Sequence, residues 1–141
     1  MYYEGKIIYN SCNESGKNTT GKEDYLIENC ELHGEAESVL YEFASDYNLN
    51  DIDVLSVKRT KLIEFVNEKQ SYDVYIYYAT IASLFLDEKN GKEKETRYNV
   101  AVYAKDIDEA NKFVNEYMKQ GLNDMKLISL KTTKILAVIK Y

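Results

Sequence analysis

The chain has 141 residues, of which 45% are hydrophobic and 30% are charged. This balance is typical of a soluble globular protein with its own core, and it excludes an intrinsically disordered chain. The formal net charge of −6 disfavours a general binder of duplex nucleic acid, because such binders neutralise many phosphates. Two cysteines are too few for a disulfide scaffold or a thiolate zinc site.

The first half of the chain predicts two strands, a helix and a third strand. Residues 2–12 and 25–30 predict strands on either side of a polar stretch at 13–22. An apolar stripe at helical spacing predicts a helix over 34–46. A third strand is predicted over 52–65.

The second half predicts the same order of elements. Residues 72–86 are rich in β-branched and aromatic side chains, an Asn-Gly turn follows at 89–92, and a returning strand is predicted over 97–104. A second apolar stripe predicts a helix over 107–120, and a last strand is predicted over 125–140.

An internal repeat relates the two halves. The segments 49–66 and 122–139 align without a gap at an offset of 73 residues, and seven of these eighteen positions are identical. The apolar stripes of the two predicted helices match at an offset of 74 residues. Both halves therefore derive from one β-β-α-β pattern.

We predict an α+β fold that consists of a tandem duplication of this β-β-α-β unit. Residues 1–66 form the first unit, 71–141 the second and 67–70 the linker, within a single domain over 1–141. Because one such unit buries little surface, two copies are expected to cover each other around a pseudo-two-fold axis. Both helices are expected to pack on antiparallel sheet, and two independent domains are the alternative.

Two stretches of the chain carry a resemblance to a known family. One is Tyr25-Leu26-Ile27-Glu28-Asn29, followed by Glu35-Ala36-Glu37, and the other is Leu86-Asp87-Glu88-Lys89-Asn90-Gly91-Lys92-Glu93-Lys94. Over nearly its whole length the chain resembles a family of domains of unknown function, number 4494, from gut bacteria of the Bacteroides group and their phages. The resemblance implies a phage or mobile-element source, and it brings no activity and no catalytic residue.

No residue set in the chain points to catalysis. His33 is the single histidine, which argues against a histidine metal site or a Ser-His-Asp triad. Cys12 and Cys30 lie at predicted strand ends and are interpreted as inert core thiols. The carboxylates fall mostly at turns and helix N-termini, where they are typical surface residues. We therefore predict that the chain is not an enzyme and that it needs no cofactor or metal.

The repeated third strand carries the candidate binding residues. Side chains alternate along a strand, so Ser56, Lys58 and Thr60 share one face, and their repeat counterparts do the same. Lysine and hydroxyl donors suit phosphate, and neighbouring tyrosines, Tyr78 among them, are candidates to stack on a base. The alternative is a solvated sheet face whose lysines guard an edge. The candidate ligand-binding residues are Ser56, Lys58, Arg59, Thr60, Lys61, Ser129, Lys131, Thr133, Lys134, Tyr75 and Tyr77.

Two functional hypotheses follow from these features. The first is a small non-catalytic binding protein for an anionic, nucleotide-like ligand, which a phage would use to sequester a host defence signal. The second is a virion-associated or regulatory protein that binds a protein partner through strand edges or a tyrosine stripe at residues 72, 75, 77 and 78. In both cases a homo-oligomer is expected, and an enzyme ranks last. If Lys58 and Lys131 converge on one pocket, an anionic ligand is favoured, because two close ammonium groups repel.

The sequence also predicts the compartment of the protein. Residues 1–6 show no signal-peptide pattern, and the longest mostly apolar stretch, 74–86, is too short to span a bilayer. We therefore predict no membrane contact and a cytoplasmic protein, in the cytoplasm of the host cell if a phage encodes it.

Overall fold

A computed structural model of the chain describes residues 1–12, 16, 18–46, 50–69, 73–121 and 124–140. Within these residues two helices and eight strands form, so the predicted α+β class is confirmed. The helices are α1 (His33–Asp46) and α2 (Ile107–Lys119). The strands are β1 (Tyr3–Cys12), β2 (Asn18–Glu28), β3 (Asn50–Arg59), β4 (Leu62–Phe65), β5 (Tyr75–Leu86), β6 (Glu93–Ala104), β7 (Asp124–Thr132) and β8 (Ile135–Lys140).

The strands form two separate sheets, each of which belongs to one compact unit. Unit 1 comprises Met1–Thr60 and Lys134–Tyr141 and contains α1 and a sheet of order β3-β1-β2-β8. Unit 2 comprises Lys61–Thr133 and contains α2 and a sheet of order β4-β6-β5-β7. The antiparallel sheet that the sequence predicted is wrong in one respect, because β8 pairs with β2, and β4 with β6, in parallel. Both sheets are therefore mixed.

Each predicted third strand is in fact two strands that belong to different units. The chain leaves unit 1 after Thr60, whose backbone N–H and hydroxyl both donate to the Tyr2 carbonyl at 2.9 and 3.0 Å. It leaves unit 2 after Thr133, whose hydroxyl donates to the Ile76 carbonyl at 2.7 Å. The sequence pattern does not show this change of unit, because apolar and polar residues alternate both before and after Thr60 and Thr133.

The two sheets share their register as well as their strand order. The β1–β3 ladder has a bulge between Lys6 and Ile7, and the β5–β7 ladder has one between Thr80 and Ile81. Each of these positions in unit 1 lies 74 residues before its counterpart in unit 2. Both parallel pairs also contain a register shift near their first residue.

Each helix covers one face of its own sheet. The predicted helices 34–46 and 107–120 agree with α1 and α2 to within one residue at each end. In both units a glutamate in the first helical turn accepts from the backbone N–H four residues earlier: Glu35 from Glu31 at 3.1 Å and Glu109 from Lys105 at 3.2 Å. The core of unit 1 lies between α1 and its sheet, and that of unit 2 between α2 and its sheet.

Both cores solve the same packing problem with different side chains. Gly5 on β1 lies under Leu40 of α1, and a Cβ at this glycine would stand 2.2 Å from a Leu40 methyl carbon. The matching positions in unit 2 hold Ala79 and Val114, which are both buried. A larger strand residue is thus accompanied by a smaller helix residue, which keeps the packed volume similar.

The predicted linker begins inside unit 2, and its last residue, Gln70, lies outside the described residues. Val66 donates its N–H to the Ala101 carbonyl at 2.9 Å, so β4 continues its pairing with β6 by one residue. The Asn67 amide then donates to the Tyr103 carbonyl at 2.8 Å and accepts from the Tyr103 N–H at 2.9 Å. The Asn67 side chain thus takes the place of a backbone partner for Tyr103 on β6.

Candidate anion-binding face

On the sheet face opposite the helix, nine positions of each unit can be matched. They are three rows of cross-strand partners, each with one residue from each of three neighbouring strands. In unit 1 the strands are β3, β1 and β2, and in unit 2 they are β7, β5 and β6. We call these sets the unit 1 face and the unit 2 face. Row by row, the unit 1 face is Lys58, Glu4, Leu26; Ser56, Lys6, Asp24; Asp53, Ile8, Lys22. The unit 2 face is Lys131, Tyr78, Ala101; Ser129, Thr80, Asn99; Lys126, Ala82, Arg97.

Positive and negative charges balance on the unit 1 face. Its three lysines are matched by three carboxylates, so its formal net charge is zero. Lys58 lies in register with Glu4, and Lys6 forms an ion pair of 3.8 Å with Asp24. Opposite charges in neighbouring strand positions attract each other, which leaves little potential for an external anion.

The unit 2 face also contains three cations, but it contains no carboxylate. Tyr78 stands where unit 1 has Glu4, Asn99 where it has Asp24, and Lys126 where it has Asp53. Just beyond the face, Glu95 binds the Arg97 guanidinium at 3.0 Å and neutralises it in part. Among the described residues, Lys131 and Lys126 have no carboxylate within ion-pair distance.

Hydrogen-bond donors lie between the cations of the unit 2 face. The Thr80 hydroxyl donates to the Asn99 side-chain oxygen at 2.7 Å, which leaves the Asn99 N–H groups as donors. Lys131, Lys126, Ser129 and Arg97 are exposed, whereas Tyr78, Thr80 and Asn99 are half-buried. Ala82 and Ala101, which are fully buried, contribute no accessible surface between them. The face can therefore offer charge, hydroxyl and amide donors and one aromatic ring to an anion.

The predicted Ser-Lys-Thr rows are only partly on these faces. Ser56 and Lys58 lie on the unit 1 face, and Ser129 and Lys131 lie on the unit 2 face. The two rows thus belong to different units. Thr60 and Thr133 lie beyond the ends of β3 and β7, where their hydroxyls donate to backbone carbonyls.

The remaining predicted site residues lie elsewhere. Arg59 is exposed on the helix side of its sheet, opposite Tyr3. Lys61 and Lys134 are exposed between two strands, each in the unit opposite to that of the preceding threonine.

The two predicted stacking tyrosines differ in accessibility. Tyr75 is 65% exposed, which leaves its ring open to a ligand or partner. Tyr77 is 6% exposed within the core of unit 2, so its ring offers almost no surface for the ligand contact that the sequence predicts. Burial, reinforced by Asp106 and Tyr75, raises the pKa of the Tyr77 hydroxyl. The side chain points toward α2 because it alternates with Tyr78, and alternation alone could have separated the two rings.

Four residues of the unit 2 face were missed in the sequence: Lys126, Arg97, Thr80 and Asn99. A signal for three of them was present, because the Asn-Gly turn fixes the β5–β6 register and so places Thr80 opposite Asn99 and Arg97 opposite Ala82. The position of Lys126 depends on the bulge in the β5–β7 ladder, for which the sequence has no distinct signal.

The candidate catalytic residues lie apart from these faces. Cys30 is fully buried, as predicted, and burial raises the pKa of its thiol, which disfavours the reactive thiolate. His33 is exposed at the start of α1, with its ring 5.2 Å from that of Tyr3. The side chain of Cys12 lies outside the described residues. Within the described ranges, no three His, Cys, Asp or Glu residues are placed to hold a metal ion.

A cavity of about 50 Å³ in unit 2 is separate from all predicted site residues. It is lined by Asn67, Glu68, Val74, Tyr103, Lys105, Glu109 and Phe113. Of the helices that the structure describes, neither has the length and apolar character that crossing a membrane requires.

Comparisons with known proteins return one family. The sequence profile of a family described as "Domain of unknown function (DUF4494)" matches residues 1–141. A search of curated proteins finds no match.

Proposed function

The chain belongs to the DUF4494 family of domains of unknown function, and we propose that it is a non-catalytic binding protein whose unit 2 face holds an anionic, nucleotide-like ligand. The observation that carries the proposal is the absence of carboxylates from all nine positions of this face, which contain three cations. The matched face of unit 1 contains three of each sign. In an acidic protein, a cationic area with no carboxylate among its own positions is the place where an anion is attracted most strongly.

The chemistry of the unit 2 face suits a nucleotide in particular. Lys131 supplies a point charge for a phosphate, and in the next row Ser129 adds a hydroxyl donor and Asn99 adds amide N–H donors. The half-buried ring of Tyr78 lies directly beside Lys131, where a base could stack on it. An inorganic anion would use the charge but not the ring.

Nucleotide titration of matched variants tests this proposal. We expect nucleoside mono- and diphosphates to raise the melting temperature of the full chain, because a ligand of the native state stabilises it by mass action. Lys131→Ala should reduce the shift, whereas Lys58→Ala should leave it unchanged, since Lys58 already faces Glu4. No shift at millimolar nucleotide, or equal effects of the two variants, would contradict an anion site on the unit 2 face.

A second function, binding of a protein partner, has its own supporting observation. Large apolar side chains are exposed at matched positions of both units: Leu55 and Ile128 at the bulges of β3 and β7, and Ile63 and Leu136 on β4 and β8. Exposed apolar residues on outer strands are typical of interaction surfaces. A homo-oligomer would use them, and native mass spectrometry of the full chain and of Leu136→Lys tests this candidate: loss of a dimer in the variant supports it, and a monomer in both contradicts it.

We further infer that the chain arose by duplication of a β-β-α-β unit and that it acts in the cytoplasm of a phage-infected host. The matched bulges and the matched strand order of the two sheets support the duplication. The resemblance to a family of Bacteroides-group bacteria and their phages supports the source. A sequestering protein of this kind should lower the free concentration of a host nucleotide signal when it is expressed, which a measurement on host extracts tests.

A further inference from the structure

We infer that the unit 2 face binds a short oligonucleotide with at least two separated phosphates more tightly than it binds a mononucleotide. This inference rests on the proposed function, and it names the class of ligand that the arrangement of cations fits. The cations lie in the two outer rows of the face, with Lys131 at one end and Lys126 and Arg97 at the other. The row between them, Ser129, Thr80 and Asn99, is uncharged.

The distance between the outer rows argues against a single phosphate. Tyr78 and Ala82 mark these rows on β5 and are four residues apart, which corresponds to about 14 Å along a strand. A phosphate oxygen lies only about 3 Å from each donor that it accepts from. One phosphate contacts the cations of both rows only if the Lys131 and Lys126 side chains both bend over the middle row, whereas two phosphates joined through a nucleoside contact both rows without this bending.

The middle row suits the part of a ligand that lies between two phosphates. A ribose and a base edge carry hydroxyl, carbonyl and amino groups, and these are the partners that hydroxyl and amide side chains bind. Thr80 and Asn99 are already hydrogen-bonded to each other, so both are held in place before a ligand arrives. A fixed donor row of this kind costs less ordering when the ligand binds.

The surroundings of the face limit the length of the ligand. Beyond the row of Lys126 and Arg97, the next row consists of Asp124, Leu84 and Glu95, which carries two carboxylates. Beyond the row of Lys131, the next pair across the sheet is Ile76 and Tyr103, which carries no charge. A longer polyanion would meet carboxylates at one end, and at the other end this pair offers it no cation. Two or three phosphates therefore fit, and an extended strand does not.

Isothermal titration of the full chain with four probes tests the inference. The probes are adenosine monophosphate, a linear triadenylate with a 5′ phosphate, cyclic diadenylate and a linear dodecaadenylate. We expect the triadenylate to bind at least tenfold more tightly than the monophosphate. Its affinity should fall more steeply with salt, by a slope of about 0.7 for each further phosphate neutralised. The dodecaadenylate should gain nothing over the triadenylate per binding site, and the cyclic probe decides whether a closed or an open backbone is preferred.

Variants at the two ends of the face complete the test. Lys131→Ala and Lys126→Ala should each lower the affinity for triadenylate several-fold. Lys58→Ala is the matched control and should leave this affinity unchanged. The melting temperature of the ligand-free chain should be unchanged in all three variants. Equal affinity for the monophosphate and the triadenylate would overturn the inference and leave the proposed function standing. Absence of binding by every probe would overturn the proposed function itself. Steadily tighter binding up to the dodecaadenylate would show a site for extended single strands and would also overturn the inference.

Discussion

Unit 1 and unit 2 have the same strand order, the same bulges and the same helix position, yet they differ in what they present to solvent. The matched faces carry three cations each, but three carboxylates accompany them in unit 1 and none in unit 2. Register is maintained by buried residues, because a slip of one position would turn every apolar side chain to the wrong face. Exposed positions are under no such constraint, so functional differences between the units are expected there.

The buried positions teach a complementary lesson. One buried pair changes in a compensated way, as Gly5 with Leu40 becomes Ala79 with Val114. A close-packed interior tolerates substitutions that conserve volume and resists those that do not. The comparison between the units therefore supplies matched variants, in which a residue pair of one unit is placed at the matched positions of the other.

The largest expected effect comes from placing the unit 2 residue on the unit 1 strand. Gly5→Ala should destabilise the chain by about 2–3 kcal/mol, because the new methyl group overlaps the buried Leu40 side chain. Leu40→Val in the same chain should restore part of this loss, since it recreates the pair found in unit 2. Urea unfolding of the two single variants and the double variant measures the coupling. Additive losses would mean that the two sites do not share their packing space.

The next effect concerns the end of β4, where the units differ again. Asn67→Ala removes both hydrogen bonds to the Tyr103 backbone and should cost about 1–2 kcal/mol. The matched residue in unit 1 is Lys140, the last residue of β8, whose side chain is exposed, so Lys140→Ala should change the free energy of unfolding by less than about 0.5 kcal/mol. Hydrogen exchange at the Tyr103 amide should rise in Asn67→Ala. Unchanged exchange would indicate that another group replaces the lost acceptor.

Local features of this fold could be predicted from the sequence, and pairings between distant segments could not. The stripes of α1 and α2 and the Asn-Gly turn act over a few residues, so the spacing of apolar and turn residues is sufficient. The exchange of β4 and β8 between the units depends on a change of partner after Thr60 and Thr133, where the apolar alternation continues without interruption.

The candidate site follows the same rule. Ser129 and Lys131 were found because a repeated motif marks them. Lys126 and Arg97 were missed because their place depends on cross-strand register and on a bulge. The absence of carboxylates is a property of three strands together, and no single strand contains it.

Introducing the unit 1 carboxylate into the unit 2 face should have a smaller effect than Gly5→Ala or Asn67→Ala. Tyr78→Glu places a carboxylate in register with Lys131, as Glu4 is with Lys58 in unit 1. Exposed ion pairs are worth up to about 1 kcal/mol, so we expect the affinity for triadenylate to fall about fivefold while the fold stays intact. The uncharged variant Tyr78→Gln separates the loss of the ring from the gain of charge. If both variants bind equally weakly, stacking is the main contribution of Tyr78; if neither weakens binding, the unit 2 face is not the site.

The smallest expected effect is a change in alkaline stability, and it concerns Tyr117 on α2, whose matched residue in unit 1 is Phe43. The Tyr117 hydroxyl donates to Glu64, and burial together with this carboxylate raises the pKa of Tyr117 well above its usual value. Above about pH 10 the unfolded chain loses this proton while the folded chain retains it, so the free energy of unfolding falls as pH rises.

Tyr117→Phe, which copies unit 1, should therefore flatten the decline of stability between pH 9 and 11, at a loss of about 1 kcal/mol at neutral pH for the hydrogen bond. Tyr9 in unit 1 is a suitable control, because its hydroxyl donates to Glu23 at 2.9 Å and its pKa is also raised, chiefly by this hydrogen bond. Burial contributes most to the shift at Tyr117 and only second to that at Tyr9, so Tyr9→Phe should flatten the decline less. Urea unfolding at several pH values measures both slopes. If the free energy of unfolding declines equally with pH in Tyr117→Phe and in the unchanged chain, the alkaline loss of stability comes from other tyrosines. If Tyr9→Phe flattens this decline more than Tyr117→Phe does, Tyr9 contributes more to the alkaline loss than Tyr117.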